Sequence, residues 1–167
     1  MAEPPVRYAA AATALGVLLV AVSPRGLCAV ALGDDATELA AALRVRFPEA
    51  QAAGSDPAVA GMVERLVAMI EGADNGADLP LDVRGTAFQQ RVWAALRAIP
   101  RGSTLTYTEL AGRLGVPRAV RAVASACAAN TLALVIPCHR VLRRDGSLAG
   151  FRWGLARKRE LLRREAA

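Results

Sequence analysis

A chain of 167 residues can bury a real core as one large domain or two small ones. With only three cysteines (Cys28, Cys127 and Cys138) and one histidine, it excludes a disulfide framework and leaves too few ligands for a zinc site rich in Cys and His. The net charge of +6 comes almost wholly from arginine, because Lys158 is the only lysine, and arginine's planar fork suits phosphates and base edges.

The elements follow in chain order. The apolar run Tyr8 to Val22 follows Arg7 and could pass for a secretory signal, but it is too short to span a membrane as a helix. It leads into Ser23-Pro24-Arg25-Gly26 and a second apolar run, Leu27 to Leu32. Run, turn, run predicts a β-hairpin in a cytoplasmic protein with no membrane segment. A helix is expected from Asp34-Asp35 to about Arg46, with Leu39, Ala42, Leu43 and Phe47 at three- and four-residue spacing before Pro48 stops it. Residues 50–55 read as a loop. Asp56 as cap and Pro57 in the first turn open a second helix, with Val59, Met62, Val63, Leu66, Val67 and Ile70 as its stripe. A loop from Gly72 to Asp78 and an extended stretch from Leu79 to Val83 complete an N-terminal α/β domain, residues 1–80, built on a short antiparallel sheet plus helices.

Residues 81–167 differ in charge and pattern. They hold 16 basic and 5 acidic side chains, against 5 basic and 10 acidic in residues 1–80. A basic half beside an acidic one points to a polyanion, or to surface solubility alone. Gly85-Thr86 starts a helix carrying Phe88, Val92, Trp93 and Leu96. Pro100-Arg101-Gly102 makes a turn, Thr106 to Leu114 a short helix, and Arg118 to about Ala129 a further helix after Gly115-Val116-Pro117. Helix, glycine-containing turn, helix is the outline of a helix-turn-helix, and also of a plain helical hairpin. Arg118 and Arg121 at the start of the second helix favour the first. After Leu132 to Ile136 come Pro137-Cys138-His139-Arg140-Val141, a turn at Asp145-Gly146, and a basic helix from Gly154 to Arg164. The expectation is a mainly α, winged-helix-like C-terminal domain.

Cys138 stands beside the only histidine. A cysteine attacks as its thiolate and needs a base or a positive charge nearby. Neighbours in sequence need not touch, so His139 would reach the thiol through a turn or a bridging water, and a bare Cys-His pair fits a buried structural cysteine as well. The surrounding residues add specificity. Gly85 to Trp93, Thr106 to Ala111, Arg121 to Asn130 and the Pro137 to Val141 signature together resemble the O6-alkylguanine-DNA alkyltransferase family. The similarity runs from about Asp82 to Glu165. It is strongest to the C-terminal domain of the bacterial adaptive-response type, notably at Gly150-Phe151-Arg152-Trp153-Gly154. Residues 1–80 resemble the family only in outline.

The resemblance implies the following roles. Cys138 is the alkyl acceptor, His139 the base acting through a water, and Glu165 the carboxylate orienting that histidine. Asn130 ties the helix-turn-helix to the acceptor turn, although a helix C-cap is an equally common use of asparagine. Tyr107 and Arg121 handle the flipped nucleotide, aided by Arg118 and the small Ala122 on a helix that enters the minor groove of double-stranded DNA. Val141, Leu148, Ala149, Gly150, Phe151 and Arg152 wall the pocket. Phe151 replaces a tyrosine common in the family, and Arg152 a serine found in some members, so two hydroxyl contacts are lost. The implied reaction is one-shot repair of O6-alkylguanine, with O4-alkylthymine an open second substrate. It needs neither metal nor cofactor, and a monomer is expected. A regulator or lesion-binding protein without chemistry, and a cysteine hydrolase, are the rival readings. The hydrolase would need an oxyanion site that the sequence does not offer.

Overall fold

The structure is a computed structural model and describes residues 4–148 and 150–167. Ala149 therefore lies outside the described residues. The chain divides into two compact units, residues 1–83 with 131–133, and residues 84–130 with 134–167.

The first unit is built on a four-stranded sheet in the order β3-β2-β1-β4. Its strands are β1 (Arg7–Thr13), β2 (Gly16–Ser23), β3 (Gly26–Gly33) and β4 (Gln51–Ala52). The Tyr8 to Val22 run, expected as one strand, is two. It reverses at Ala14-Leu15, where Thr13 Oγ1 donates to Gly16 O (2.8 Å) and accepts from Leu15 N (3.0 Å). Gly16 takes φ +98, open to glycine at little cost. The sheet is also mixed rather than purely antiparallel. Residues 51–52, read as loop, pair with β1 in parallel. Along β2 and β3 a bulge at Ala21/Val22 shifts the register.

Helix α1 (Ala36–Arg46) starts on the Asp35 side chain, which accepts from Glu38 N, and α2 (Pro57–Glu71) on Asp56. Leu43, Ala40 and Phe47 pack with Leu19, Ala21, Cys28 and Ala29 of the sheet. Within the expected stripe of α2, Val59, Leu66 and Ile70 are buried, while Met62, Val63 and Val67 are half-buried. Two further segments run along β3. Leu81 bridges Leu27, and Leu132 bridges Val30, both in parallel sense.

The second unit holds α3 (Ala87–Arg97), α4 (Tyr107–Arg113), α5 (Val120–Ala128) and α6 (Leu155–Ala166), with a two-residue parallel pairing of β5 (Leu105–Thr106) and β6 (Val141–Leu142). Thr86 with Gln89, and Thr106 with Glu109, form reciprocal capping boxes that fix where α3 and α4 begin. Trp93 Nε1 donates to Ala126 O (2.8 Å), tying α3 to α5. The helix expected from Arg118 begins only at Val120. Arg118 lies in the preceding turn, and Ala119 gives α5 no side-chain cap.

Candidate active site

The path to Cys138 opens with Leu134, whose φ of +71 is costly for a residue with a branched side chain. Then Pro137 leads into a single 3₁₀ turn, Cys138–Arg140. Cys138 N donates to Ile136 O (2.8 Å) and Arg140 N to Pro137 O (3.0 Å). The turn thus holds Cys138 and His139, both buried, at adjacent positions of one tight bend.

Asn130 lies just past the C-cap of α5, with its backbone N–H donating to Cys127 O (3.2 Å). Its side-chain Nδ2 donates to Ile136 O (2.9 Å) and to Cys138 Sγ (3.2 Å). It braces the turn that carries Cys138 and touches the sulfur itself. Arg152 Nη1 in turn donates to Asn130 O (3.2 Å).

His139 is 1% exposed, and its Nε2 lies 3.0 Å from both oxygens of Glu165. Arg140 grips the same carboxylate through Nε (2.9 Å) and Nη2 (2.8 Å), and its Nη1 donates to Ile99 O (2.7 Å). The other imidazole nitrogen, Nδ1, is buried with no hydrogen-bond partner among the described residues. An ionised carboxylate only accepts, so Nε2 carries the proton and Nδ1 the lone pair.

The electrostatics follow from burial. Burial pushes the Cys138 thiol up, against the lowering effects of the Asn130 hydrogen bond and the Lys158 and Arg152 charges, so the resting sulfur is a thiol. Burial pushes His139 down, and Glu165 only partly offsets it, so the ring is neutral. Burial alone would raise Glu165, but hydrogen bonds from His139 and Arg140 prevail and hold it at about 2. Burial, with the negative charge of Cys127 and Cys138 as lesser causes, lifts the Tyr107 phenol to about 12.

The structure thus gathers around the 3₁₀ turn a cluster of two hydrogen-bonded groups, Asn130 with Cys138, and His139 with Glu165 and Arg140. Phe151 meets the His139 ring edge-on at 6.5 Å between centroids. Val141 is fully buried, Leu148 half-buried, and Gly150 exposed. Arg121 and Ala122 are exposed on α5, as is Arg118 before it, outside that cluster. Among the described residues no group of three or more His, Cys, Asp or Glu could hold a metal ion.

Two participants carried no expected role. Lys158 is fully buried with Nζ on Val141 O (2.7 Å), and Arg140 clamps Glu165. Arg152, expected in the pocket wall, also reaches Asn130 O. A signal for Lys158 existed. Lys158, Leu161 and Glu165 recur at three- and four-residue spacing and form the buried face of α6, so two charges sit in phase with an apolar stripe. A charge in that phase is a candidate site residue.

Comparison with known proteins gives the family. The family model described as the ribonuclease-like domain of 6-O-methylguanine DNA methyltransferase matches residues 6–83, and that of its DNA binding domain residues 87–167. The chain is 56% identical over 161 residues to the Escherichia coli bifunctional transcriptional activator/DNA repair enzyme Ada, covering 96% of this chain and 46% of that protein. It therefore spans about half the length of that relative. It is 48% identical over 111 residues to a Mycobacterium bovis methylated-DNA–protein-cysteine methyltransferase, covering 66% of this chain and 67% of that protein. Mycobacterium tuberculosis OGT, solved in complex with DNA, superposes with a TM-score of 0.80 at 35% identity, covering 96% of this chain and 92% of that one. On these matches, the chain belongs to the 6-O-methylguanine DNA methyltransferase family.

Proposed function

We propose that this protein repairs DNA by moving an alkyl group from O6 of guanine onto Cys138, in a single event that consumes the protein. One observation carries the reading: a thiol held by Asn130 and followed by a histidine whose Nε2 is committed to Glu165 while Nδ1 is left as a buried acceptor. The relatives' names support the same reaction.

In this mechanism the Cys138 thiol gives its proton to His139 Nδ1 through a water, the triad arrangement with water inserted. The thiolate attacks the alkyl carbon in line with the C–O6 bond. A C–S bond forms as the C–O6 bond breaks, and the proton is returned to the departing guanine, so the products are an intact base and an S-alkyl cysteine. Tyr107, kept as a neutral phenol, can donate a hydrogen bond to that base. A thioether has no easy reversal, which makes the reaction one-shot.

The target O6 is stacked inside the duplex, so the nucleotide must rotate out. We assign this to a winged helix-turn-helix, α4 and α5 with the β5–β6 pairing, bound as a monomer in the minor groove. The exposed Arg121 fills the gap, Tyr107 crowds the phosphate, and the small exposed Ala122 allows close approach. Arg118 pairs with backbone phosphate. Val141, Leu148, Gly150, Phe151 and Arg152, together with Ala149, enclose the base. Residues 1–80 act as the N-terminal α/β domain and 81–167 as the acceptor and DNA-binding domain, in a cytoplasmic protein.

The test mixes the protein with duplex carrying O6-methylguanine and maps modification by mass spectrometry. One methyl on the Cys138 peptide, at one equivalent per protein, is expected. Its absence removes the proposal. A DNA-binding regulator without chemistry would instead keep its whole function in Cys138→Ser.

A further inference from the structure

We propose that Arg140 is a positioning residue for alkyl transfer: its guanidinium fork neutralises Glu165 and so holds His139 as the uncharged Nε2–H tautomer, with Nδ1 left to take the proton of the Cys138 thiol. The inference rests on the reading of Cys138 as alkyl acceptor.

Every nitrogen of Arg140 is used. Nε and Nη2 face Oε1 and Oε2 of Glu165 at 2.9 and 2.8 Å, and Nη1 holds Ile99 O at 2.7 Å. The carboxylate is thereby divided between a permanent cation and an imidazole. The two compete, because a carboxylate facing a lone imidazole favours the imidazolium, which has no lone pair to accept the thiol proton. A guanidinium in a fork–fork pair is the stronger partner and stays charged when desolvated.

The remaining charges around the pair point the same way. Arg101 Nη1 is 3.9 Å from Glu165 Oε2, and the Lys158 charge from α6 also opposes a positive ring. Glu165 is the carboxylate that favours protonation of His139, and Arg140 blunts it. The protons balance as follows: one leaves Sγ, one arrives at Nδ1, Glu165 keeps its charge throughout, and Arg140 exchanges nothing.

A merely structural Arg140 would latch α6 to the acceptor turn, and its loss would slow transfer equally at every pH. The proposal requires a change in His139. Because the chain has one histidine, imidazole nitrogen shifts of the ¹⁵N-labelled full chain report that ring alone. Wild type is expected to show the neutral Nε2–H tautomer at neutral pH. Arg140→Met is expected to show imidazolium there, with single-turnover methyl transfer slowed about tenfold at neutral pH and recovering as the pH is raised by about two units. Arg140→Lys, which keeps the charge but not the fork, should keep the His139 ring neutral and recover part of the rate lost in Arg140→Met. If Arg140→Met does not fold, Arg140→Gln takes its place.

An Nδ1–H tautomer in wild type overturns the proposal without any variant. So does a folded charge-removing variant whose ring stays neutral and whose rate falls by the same factor at all pH values. Absence of methyl on Cys138 in wild type would instead remove the underlying reading, and the ring measurements, which need no DNA, keep the two failures apart.

Discussion

At the scale of the residue, the site is organised by which hydrogen-bonding capacity is used and which is left over. Asn130 is 1% exposed and spends its amide on the Ile136 carbonyl and the sulfur, so it fixes the turn and draws the thiol toward ionisation at once. Replacing it with alanine leaves Ile136 O short of a buried donor, a loss of about 1–3 kcal/mol. The same change removes one of the influences that lower the Cys138 pKa, so the rate-against-pH curve should move to higher pH. Urea unfolding and single-turnover rates across pH would measure both effects. A stability loss with an unmoved pH curve would mean that Asn130 acts on the turn alone. Burial also lifts the Cys127 thiol, to about 12, and no Asn130 hydrogen bond opposes it there.

At the scale of the element, local signals wrote most of the boundaries. Asp35, Asp56, Thr86 and Thr106 each begin a helix where a side-chain acceptor precedes an apolar stripe. The failures came where pairing partners decide. Ala14-Leu15 carries no turn dipeptide, yet the pairing of β1 with β2 forces the reversal there. Gln51-Ala52 has no strand pattern, yet β1 offers it an edge. Gly26 shows how closely these partners approach. It sits at φ +140, and a Cβ there would stand 2.4 Å from Pro80 O. Leu27 N and Leu27 O both bond the 80–82 segment, at 2.9 and 2.8 Å. Gly26→Ala must therefore break that pairing or strain the turn, and a loss of about 3 kcal/mol is expected in denaturant unfolding. A midpoint unchanged from wild type would show that the 80–82 segment yields freely.

At the scale of the whole molecule, the relay carries a stability signature. Glu165 ordinarily titrates at 4.5 and is held at about 2 in the folded chain. The unfolded state therefore binds its proton first as pH falls. The stabilisation is complete above 4.5 and is lost as pH drops toward 2, a contribution of about 3 kcal/mol. His139, pushed below its ordinary 6.5, acts in the same sense, because the unfolded chain takes up that proton before the native one does. Thermal unfolding of Glu165→Gln against wild type at neutral and acid pH would measure this. The variant should lose much of the wild-type pH slope below 4.5.

The sequence by itself singled out Cys138 beside the only histidine, most of the helix starts and the basic half, because each depends on residue type, neighbour spacing or composition. Only the tertiary structure decided which groups meet. Glu165 follows His139 by 26 positions and Arg140 by 25. Their union depends on α6 turning its Lys158, Leu161 and Glu165 face inward. That choice is a property of packing: a charged side chain enters a core only where partners already wait for it. Those partners are supplied by the 3₁₀ turn and by Val141 just after it.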